Sequence, residues 1–380
     1  MQLELLSNNI NIQAYLRNLG VDEGGVAIMS KKASCHVVLI KKLHVGAANI
    51  LKQDALSIGA DLAVPHGTVI AKEPFVDAIL IATKKQLFTL SKKELSQPFG
   101  LREVAKKIQE VLGIKKPTRV EVMGIINAND DSFFSGSRFK NNHAIEAIEK
   151  MINDGANIID IGGVSSSPNS LTVDKHEELA RVKPIFDVIK EQKLYNNIKF
   201  SIDSYEPLVI EEALKSGFEI VNDITGLSDD RVSKLCASHG STAVLMHMQG
   251  TPQTMQNNPK YKSVVSDIYT FFEQRVQKAE YLGVKDIVLD VGIGFGKELE
   301  HNLTLIKNLE HFLMLKKPLL IGASRKSLID KISPSSPKER IAGTLVLHLE
   351  AIRNGASIVR THDVYEHVQA IKVQHALNSI

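Results

Sequence analysis

The chain has two cysteines in 380 residues, Cys35 and Cys236. Two thiols make no disulfide framework, which fits a reducing cytoplasm. No run approaches 18 uncharged apolar residues, so no membrane span is expected. The opening MQLELLSNNINIQAYL lacks a basic start followed by an apolar block, so no signal peptide is expected. A net charge of +3 is too small to argue for nucleic acid. Residues 1–117 hold 16 Lys and Arg against 10 Asp and Glu, a surplus that reads as solvated surface. With 43% apolar and 23% charged residues, the chain has the composition of a globular protein of one large or two medium domains.

What is present is a repeated punctuation. NDGANIIDIGG, KSGFEIVNDITG, YLGVKDIVLDVG and NGASIVRTHD each follow a helix-like stretch. Each carries a glycine suited to a helix C-terminus, then a short β-rich run, then polar residues. Those glycines, Gly155, Gly217, Gly283 and Gly355, stand 62, 66 and 72 residues apart. A strand, a helix and their loops take about 30 residues, so each interval holds two such units. The intervening strands are IKFSID at 198–203, TAVLMHM at 242–248 and KPLLIGAS at 317–324; VEVMGIIN at 120–127 opens the series. After it, Ala144, Ile145, Ile148, Met151 and Ile152 recur at helical spacing. Eight strands alternating with helices over 118–375 predict a (β/α)8 TIM barrel, usually of about 250 residues. No G-x-G-x-x-G follows the first strand, which weakens the alternative of an open doubly wound sheet.

Barrel active sites sit at the C-terminal ends of the strands. In order those ends are Asn127, Asp160, Asp203, Asn222 with Asp223, His247, Asp290, the Ser324–Ser327 loop, and Arg360 with His362. Singly, each could be a turn residue. Together they describe a polar rim. Asp203, Asn222 and Asp290 offer acceptors and an amide donor, which suits a flat heterocycle such as an amino-oxo pyrimidine. Arg360, His362 and Lys326 suit an anionic diphosphate. The Asn127 amide oxygen could ligate Mg²⁺, a hard cation that keeps waters and substrate phosphates as its other ligands. A heterocycle at one end and a diphosphate at the other suggests displacement of pyrophosphate. His247, between two methionines and without a nucleophile to serve, reads as a core or outer-layer residue. The run Gly292 to Lys297 reads as a tight turn at the rim, and Cys236 as core packing.

These segments resemble those of the dihydropteroate synthases, folate-pathway transferases of the pterin-binding barrel family. The matching pieces are MGIIN at 123–127, DIGG at 160–163, SIDSY at 201–205, NDITG at 222–226, MHMQGTP at 246–252, LDVGIGFGK at 289–297, GASRKS at 322–327 and RTHDV at 360–364. The resemblance implies condensation of 6-hydroxymethyl-7,8-dihydropterin diphosphate with p-aminobenzoate, giving 7,8-dihydropteroate and pyrophosphate. It implies a dissociative course, with sulfonamides as competitors. Asp203, Asn222, Asp290 and Lys326 would hold the pterin, and Asp203, Asp290 and Lys326 would be the catalytic set. Asn127, Arg360 and His362 would hold the diphosphate with its Mg²⁺. Ser166, Ser167, Pro168, Phe295, Lys326 and Ser327 would border p-aminobenzoate. Two loops depart from the family pattern. Asn129-Asp130 replaces Thr-Pro in the first, and in the second Val164 and Ser167 replace a glutamate and an arginine.

Residues 1–117 lie outside the predicted barrel. CHVVLIKKL and VDAILIAT read as strands, and AANILKQDALSIG and LREVAKKIQEVLG as helices. The expectation is a small α/β extension acting as a packing or dimer-forming cap on a homodimer. His36, His44 and His66 are too scattered for a metal site, and no second active site is expected there. Two other functions compete for the barrel. A pterin-dependent methyltransferase with a corrinoid partner would need no diphosphate cations. A non-catalytic pterin binder would need no leaving-group residues.

Overall fold

The computed structural model describes residues 11–128, 138–164 and 173–378, in two units that divide between Lys115 and Lys116. In the first unit, β1 (Cys35–His44), β2 (Asp61–Ala63) and β3 (Phe75–Thr83) form an antiparallel sheet in the order β1-β3-β2. Along β3, Val76, Ala78, Leu80 and Ala82 are buried while their neighbours are exposed, the period-2 pattern of a sheet covered on one face. The cover is three helices, Val45–Ser57, Lys84–Lys93 and Leu101–Gly113, which contribute Leu51, Leu87, Leu90, Leu101 and Ile108. Both expected strands and both expected helices are present. Three further helices are present, Ile12–Asn18, Glu23–Met29 and Lys84–Lys93; the last escapes a reading by periodicity because KKQLFTLSKK buries only Leu87, Leu90 and Ser91, and a reciprocal cap between Thr83 and Gln86 starts it.

The second unit is the barrel. Its strands are β4 (Glu121–Asn127), β5 (Ile158–Gly162), β6 (Lys199–Asp203), β7 (Ile220–Asp223), β8 (Thr242–Met246), β9 (Ile287–Asp290), β10 (Leu319–Ile321) and β11 (Ile358–Thr361). All eight are parallel, in sequence order, and closed by β11 pairing with β4. The expected (β/α)8 barrel is therefore the observed fold. The run KPLLIGAS contracts to Leu319–Ile321, because the chain leaves the ladder at Gly322. The punctuation glycines Gly155, Gly217, Gly283 and Gly355 all take left-handed φ between 95° and 104°, the conformation that ends a helix and that a side chain resists.

Strand alternation sorts the barrel residues into two cores. Ile159, Ile161, Phe200, Ile202, Val221, Ala243, Leu245, Leu289 and Val359 pack against the surrounding helices. One residue per strand points the other way, into the barrel. Met123, Ile158, Ile220, Val244, Val288, Leu320 and Ile358 form an apolar plug, with buried Ser201 at the same level on β6. Two residues further along a strand the side chain again faces inward. Those positions are Ile125, Asp160, Asp203, Asn222, Met246, Asp290, Gly322 and Arg360. The site is thus the next layer of the barrel interior above a hydrophobic plug.

Candidate active site

The register staggers this layer around the barrel, Asp160 standing beside Ser201 and Arg360 beside Met123. Asn127 pairs with Gly162, Gly162 with Asp203, and Asp203 with Asn222; Met246 pairs with Asp290. Arg360 reaches across the mouth from β11. Its Nε donates to Asp160 Oδ2 at 2.6 Å and its Nη2 to Asp203 Oδ2 at 2.6 Å. Asn222 Nδ2 donates to the same Asp160 oxygen at 3.1 Å. Asp203 and Arg360, assigned by sequence to opposite ends of a substrate, are in direct contact. Asp160, placed on the rim by sequence but given no role there, is the fully buried hub that orients both Arg360 and Asn222. The signal that finds it is the alternation from Ile158.

Electrostatics in this layer follow from burial against pairing. Burial pushes the Asp203 carboxyl up to about 7, against the pull of Arg360 and Lys326. Burial also raises Asp290, opposed by the Gly292 N–H, which donates to Asp290 Oδ1 at 2.8 Å. Lys326 drops to about 8 through burial and the nearby Arg360 guanidinium. Its ammonium stands 4.2 Å from the centroid of the buried Phe295 ring, a cation–π contact that brings these two expected site residues together. Ser327 follows at the start of the helix Ser327–Ile332 and is exposed.

His362 stands two residues beyond Arg360 on the inward side. Burial and Arg360 push it down to about 4, so the imidazole is neutral near pH 7 rather than cationic. The Ser324 hydroxyl lies 2.9 Å from His362 Nδ1 and accepts from the His362 N–H at 3.3 Å. With that hydroxyl donating to Nδ1, the imidazole proton sits on Nε2, free to donate to an anion. Arg325 pairs with Asp363, and its left-handed backbone (φ 56°) is held by Thr344 Oγ1, which accepts from its N–H at 3.0 Å.

The glycine-rich run after β9 is a rim turn, not a phosphate cradle. A Cβ on Gly292 would collide with the His247 carbonyl, and one on Gly296 would stand 2.5 Å from the Gln249 carbonyl oxygen. Only glycine lets this turn lie on the segment after β8. Lys297 locks it from beneath, almost fully buried. Its Nζ donates to the carbonyls of Phe295 at 2.8 Å and His247 at 3.2 Å, and lies 3.0 Å from His247 Nδ1. Burial brings Lys297 down to about 7 and His247 to about 3. His247 is the buried outer-layer residue that its methionine neighbours suggest, and Cys236 is core. Asp223 also turns away from the mouth and caps its own loop, accepting from the Thr225 N–H at 2.6 Å and the Leu227 N–H at 3.2 Å.

Asn127 ends β4 at the rim. Among the described residues no three His, Cys, Asp or Glu side chains form a metal cluster. Those residues do not make an all-protein cage for a hard cation. Ser166, Ser167 and Pro168 lie outside the described residues, as do Asn129 and Asp130. Among the described residues no helix is long and apolar enough to cross a membrane.

Fold and site together define a (β/α)8 barrel whose mouth gathers buried acids and an amide around a guanidinium. The chain belongs to the pterin binding enzyme family, whose match spans residues 123–362. It is 42% identical over 362 residues to a bifunctional dihydropteroate synthase/dihydropteroate reductase of Helicobacter pylori, covering 95% of each chain. It is 40% identical over 260 residues to the dihydropteroate synthase of Escherichia coli, covering 67% of this chain and 90% of that one. The Yersinia pestis dihydropteroate synthase, solved in a sulfonamide drug complex, superposes with a TM-score of 0.64 at 35% identity, covering 69% of this chain and 95% of that one.

Proposed function

We propose that this chain is a dihydropteroate synthase that acts in folate biosynthesis and transfers the dihydropterin methylene from a diphosphate to p-aminobenzoate. The observation that carries the reading is the single inward layer of Asp160, Asp203, Asn222, Asp290 and Arg360, with Lys326 and His362 at its edge, in a chain of the pterin binding enzyme family. Asp203, Asn222, Asp290 and Lys326 hold the pterin ring. Arg360, His362 and Asn127 hold the diphosphate. When bound with it, Mg²⁺ neutralises charge on the leaving group. The methylene C–O bond breaks and pyrophosphate leaves with the electron pair. Asp203 and Asp290 stabilise the positive charge left on the ring system, as preorganised groups aimed at developing charge do. The arylamine nitrogen then bonds the methylene carbon and loses a proton. Phe295, Lys326 and Ser327 border the p-aminobenzoate, and sulfonamides compete there. Cys35 and Cys236 are both free thiols, which supports a cytoplasmic location.

The test is pyrophosphate release from dihydropterin diphosphate, p-aminobenzoate and Mg²⁺. A pterin methyltransferase or a mere pterin binder releases none. Asn127→Ala should weaken diphosphate binding about tenfold, worth about 1.4 kcal/mol, while leaving binding of the bare pterin within about twofold. Calorimetry showing the two affinities falling together would make Asn127 a pterin contact.

A second activity is favoured by one comparison. The synthase of E. coli matches 67% of this chain, whereas the bifunctional synthase/reductase matches 95% and so includes most of the extension. We propose that the extension accompanies reduction of dihydropteroate, in which a two-electron donor such as a reduced nicotinamide or flavin supplies hydride and solvent supplies a proton. Formation of tetrahydropteroate by the full chain with such a donor supports this; an unchanged dihydropteroate absorbance with both donors removes it.

A further inference from the structure

Behind the rim, two buried histidines join the strand ends that carry the diphosphate side of the site. His348 belongs to the helix Ile341–Arg353 and His367 to the helix Val364–Asn378; both are buried. The Ala323 N–H donates to His348 Nε2 at 2.9 Å. His348 Nδ1 lies 2.8 Å from His367 Nε2. His367 Nδ1 lies 2.6 Å from the Asp363 carbonyl oxygen and 3.2 Å from Thr361 Oγ1.

The ends of this chain fix its protons. An amide N–H can only donate, so His348 Nε2 is bare and the proton of that ring sits on Nδ1. It is donated to His367 Nε2, which must then be bare. The His367 proton therefore sits on Nδ1, facing a carbonyl that can only accept. Each ring is neutral and has one allowed tautomer. Burial lowers the pKa of both, which supports the neutral forms.

The position of the chain says what it is for. β10 and β11 pair only at Leu320–Ile358 and Ile321–Val359. Beyond Ile321 the strands part, and the Ala323 N–H would be left buried without a ladder partner. The two imidazoles span that gap and extend the sheet with side chains. Three residues after Ala323 comes Lys326; at the other end Thr361 and Asp363 flank His362 and follow Arg360. Nearer solvent the same loops meet through Ser324 with His362 and Arg325 with Asp363. The histidine chain is an inner tie behind an outer one.

We propose that His348 and His367 are positioning residues for the transfer reaction: their directed hydrogen-bond chain holds the Lys326 loop in register with the Arg360–His362 segment, so that ring and leaving group are gripped at the correct separation. This rests on the synthase reading above. Misplacing reacting groups by an ångström can lower rate by about 10²-fold; with the outer tie intact, His348→Ala should lower kcat about tenfold. The KM for p-aminobenzoate should stay within twofold. His348→Gln places an amide oxygen where Nε2 was, keeps the Ala323 bond, and should retain kcat within about threefold. Equal kcat loss in the Ala and Gln variants would overturn the proposal. So would unchanged kcat in both with only a lower Tm, since that is the signature of packing. Should the Ala variant fail to fold, selectively ¹⁵N-labelled histidine in the wild-type chain decides: both imidazoles protonated at Nδ1 sustains the chain, and an Nε2–H tautomer at either overturns it. A wild-type chain that releases no pyrophosphate would defeat the synthase reading, while the ¹⁵N measurement would still test the tie.

Discussion

Two regions of this molecule bury carboxylates, and they differ in what stands beside the acid. In the barrel mouth, Asp160 and Asp203 both meet the forked guanidinium of Arg360. In the extension, Glu94 is fully buried, and among the described residues no donor meets either of its oxygens. Its neighbour is another carboxyl, Asp54, whose other oxygen pairs with Lys93 Nζ at 2.8 Å. Burial, with Asp54, pushes Glu94 up to about 7. Burial raises Asp203 in the mouth as well, but there a fixed guanidinium opposes the rise. In the extension a second carboxyl, Asp54, adds to the rise of Glu94. The first arrangement gives buried acid a cation partner; the second makes a small domain sensitive to pH.

The largest expected effect comes from removing the cation. Arg360→Met leaves Asp160 and Asp203 facing each other without compensation. Synthase activity should fall by at least about 10³-fold. Urea unfolding should show a loss of about 3 kcal/mol, the lower end of the range for orphaning buried charge, because the Arg360 side chain is 20% exposed. A variant as stable as wild type would mean that the pair is not what holds the layer.

Asp203→Asn and Asp290→Asn sharpen the contrast, since they change charge with little change of shape. Each should lose about 10²- to 10³-fold in kcat, as removal of one preorganised group does, while circular dichroism stays native. Near-normal turnover in both would remove them from the site.

The smallest effect is in the extension. A carboxyl whose folded pKa is raised contributes its stability below its ordinary pKa, and that contribution is lost as pH rises through the folded value. For Glu94 the window runs from about 4.3, the ordinary glutamate value, to about 7. Amide exchange in the helices Lys84–Lys93 and Leu101–Gly113 should therefore quicken between pH 5 and pH 8, after correction for intrinsic rates. Glu94→Gln should flatten that dependence. Protection independent of pH in the wild type would show that the carboxyl is compensated after all.

The barrel was legible in the sequence because its signals are local. A glycine after each second helix, a β-rich run and a polar strand end are written within a dozen residues, and parallel alternation leaves few topologies. The rim residues were legible for the same reason: each stands at the end of its own strand. Contacts across the mouth are another matter. That Arg360 turns to Asp160 and Asp203 depends on which side chains share the inward layer, so Asp160 could be named at a strand end without its role as the partner of Arg360 and Asn222. His348 and His367 sit on helices whose sequences, GTLVLHLEAI and VYEHVQAI, show each histidine only as one residue on an apolar face. Glu94 lies in a run of lysines and reads as surface; its burial comes from the 3₁₀ turn Glu94–Ser96 that tucks it inward.

Barrel closure also has a consequence for how the molecule comes into being. Arg360 is 200 residues from Asp160 and 157 from Asp203 along the chain, and its strand is the last to be synthesised. Until β11 inserts between β10 and β4, both of those strands present open edges and the acids of the mouth lack their cation. Contacts of such long sequence separation form late, after the loop entropy has been spent. A nascent chain stalled before Ile358 therefore exposes two unpaired strand edges, the kind of surface on which chaperones act and aggregates start. The residue that completes the inward polar layer is also the one whose arrival ends the most vulnerable stage of folding.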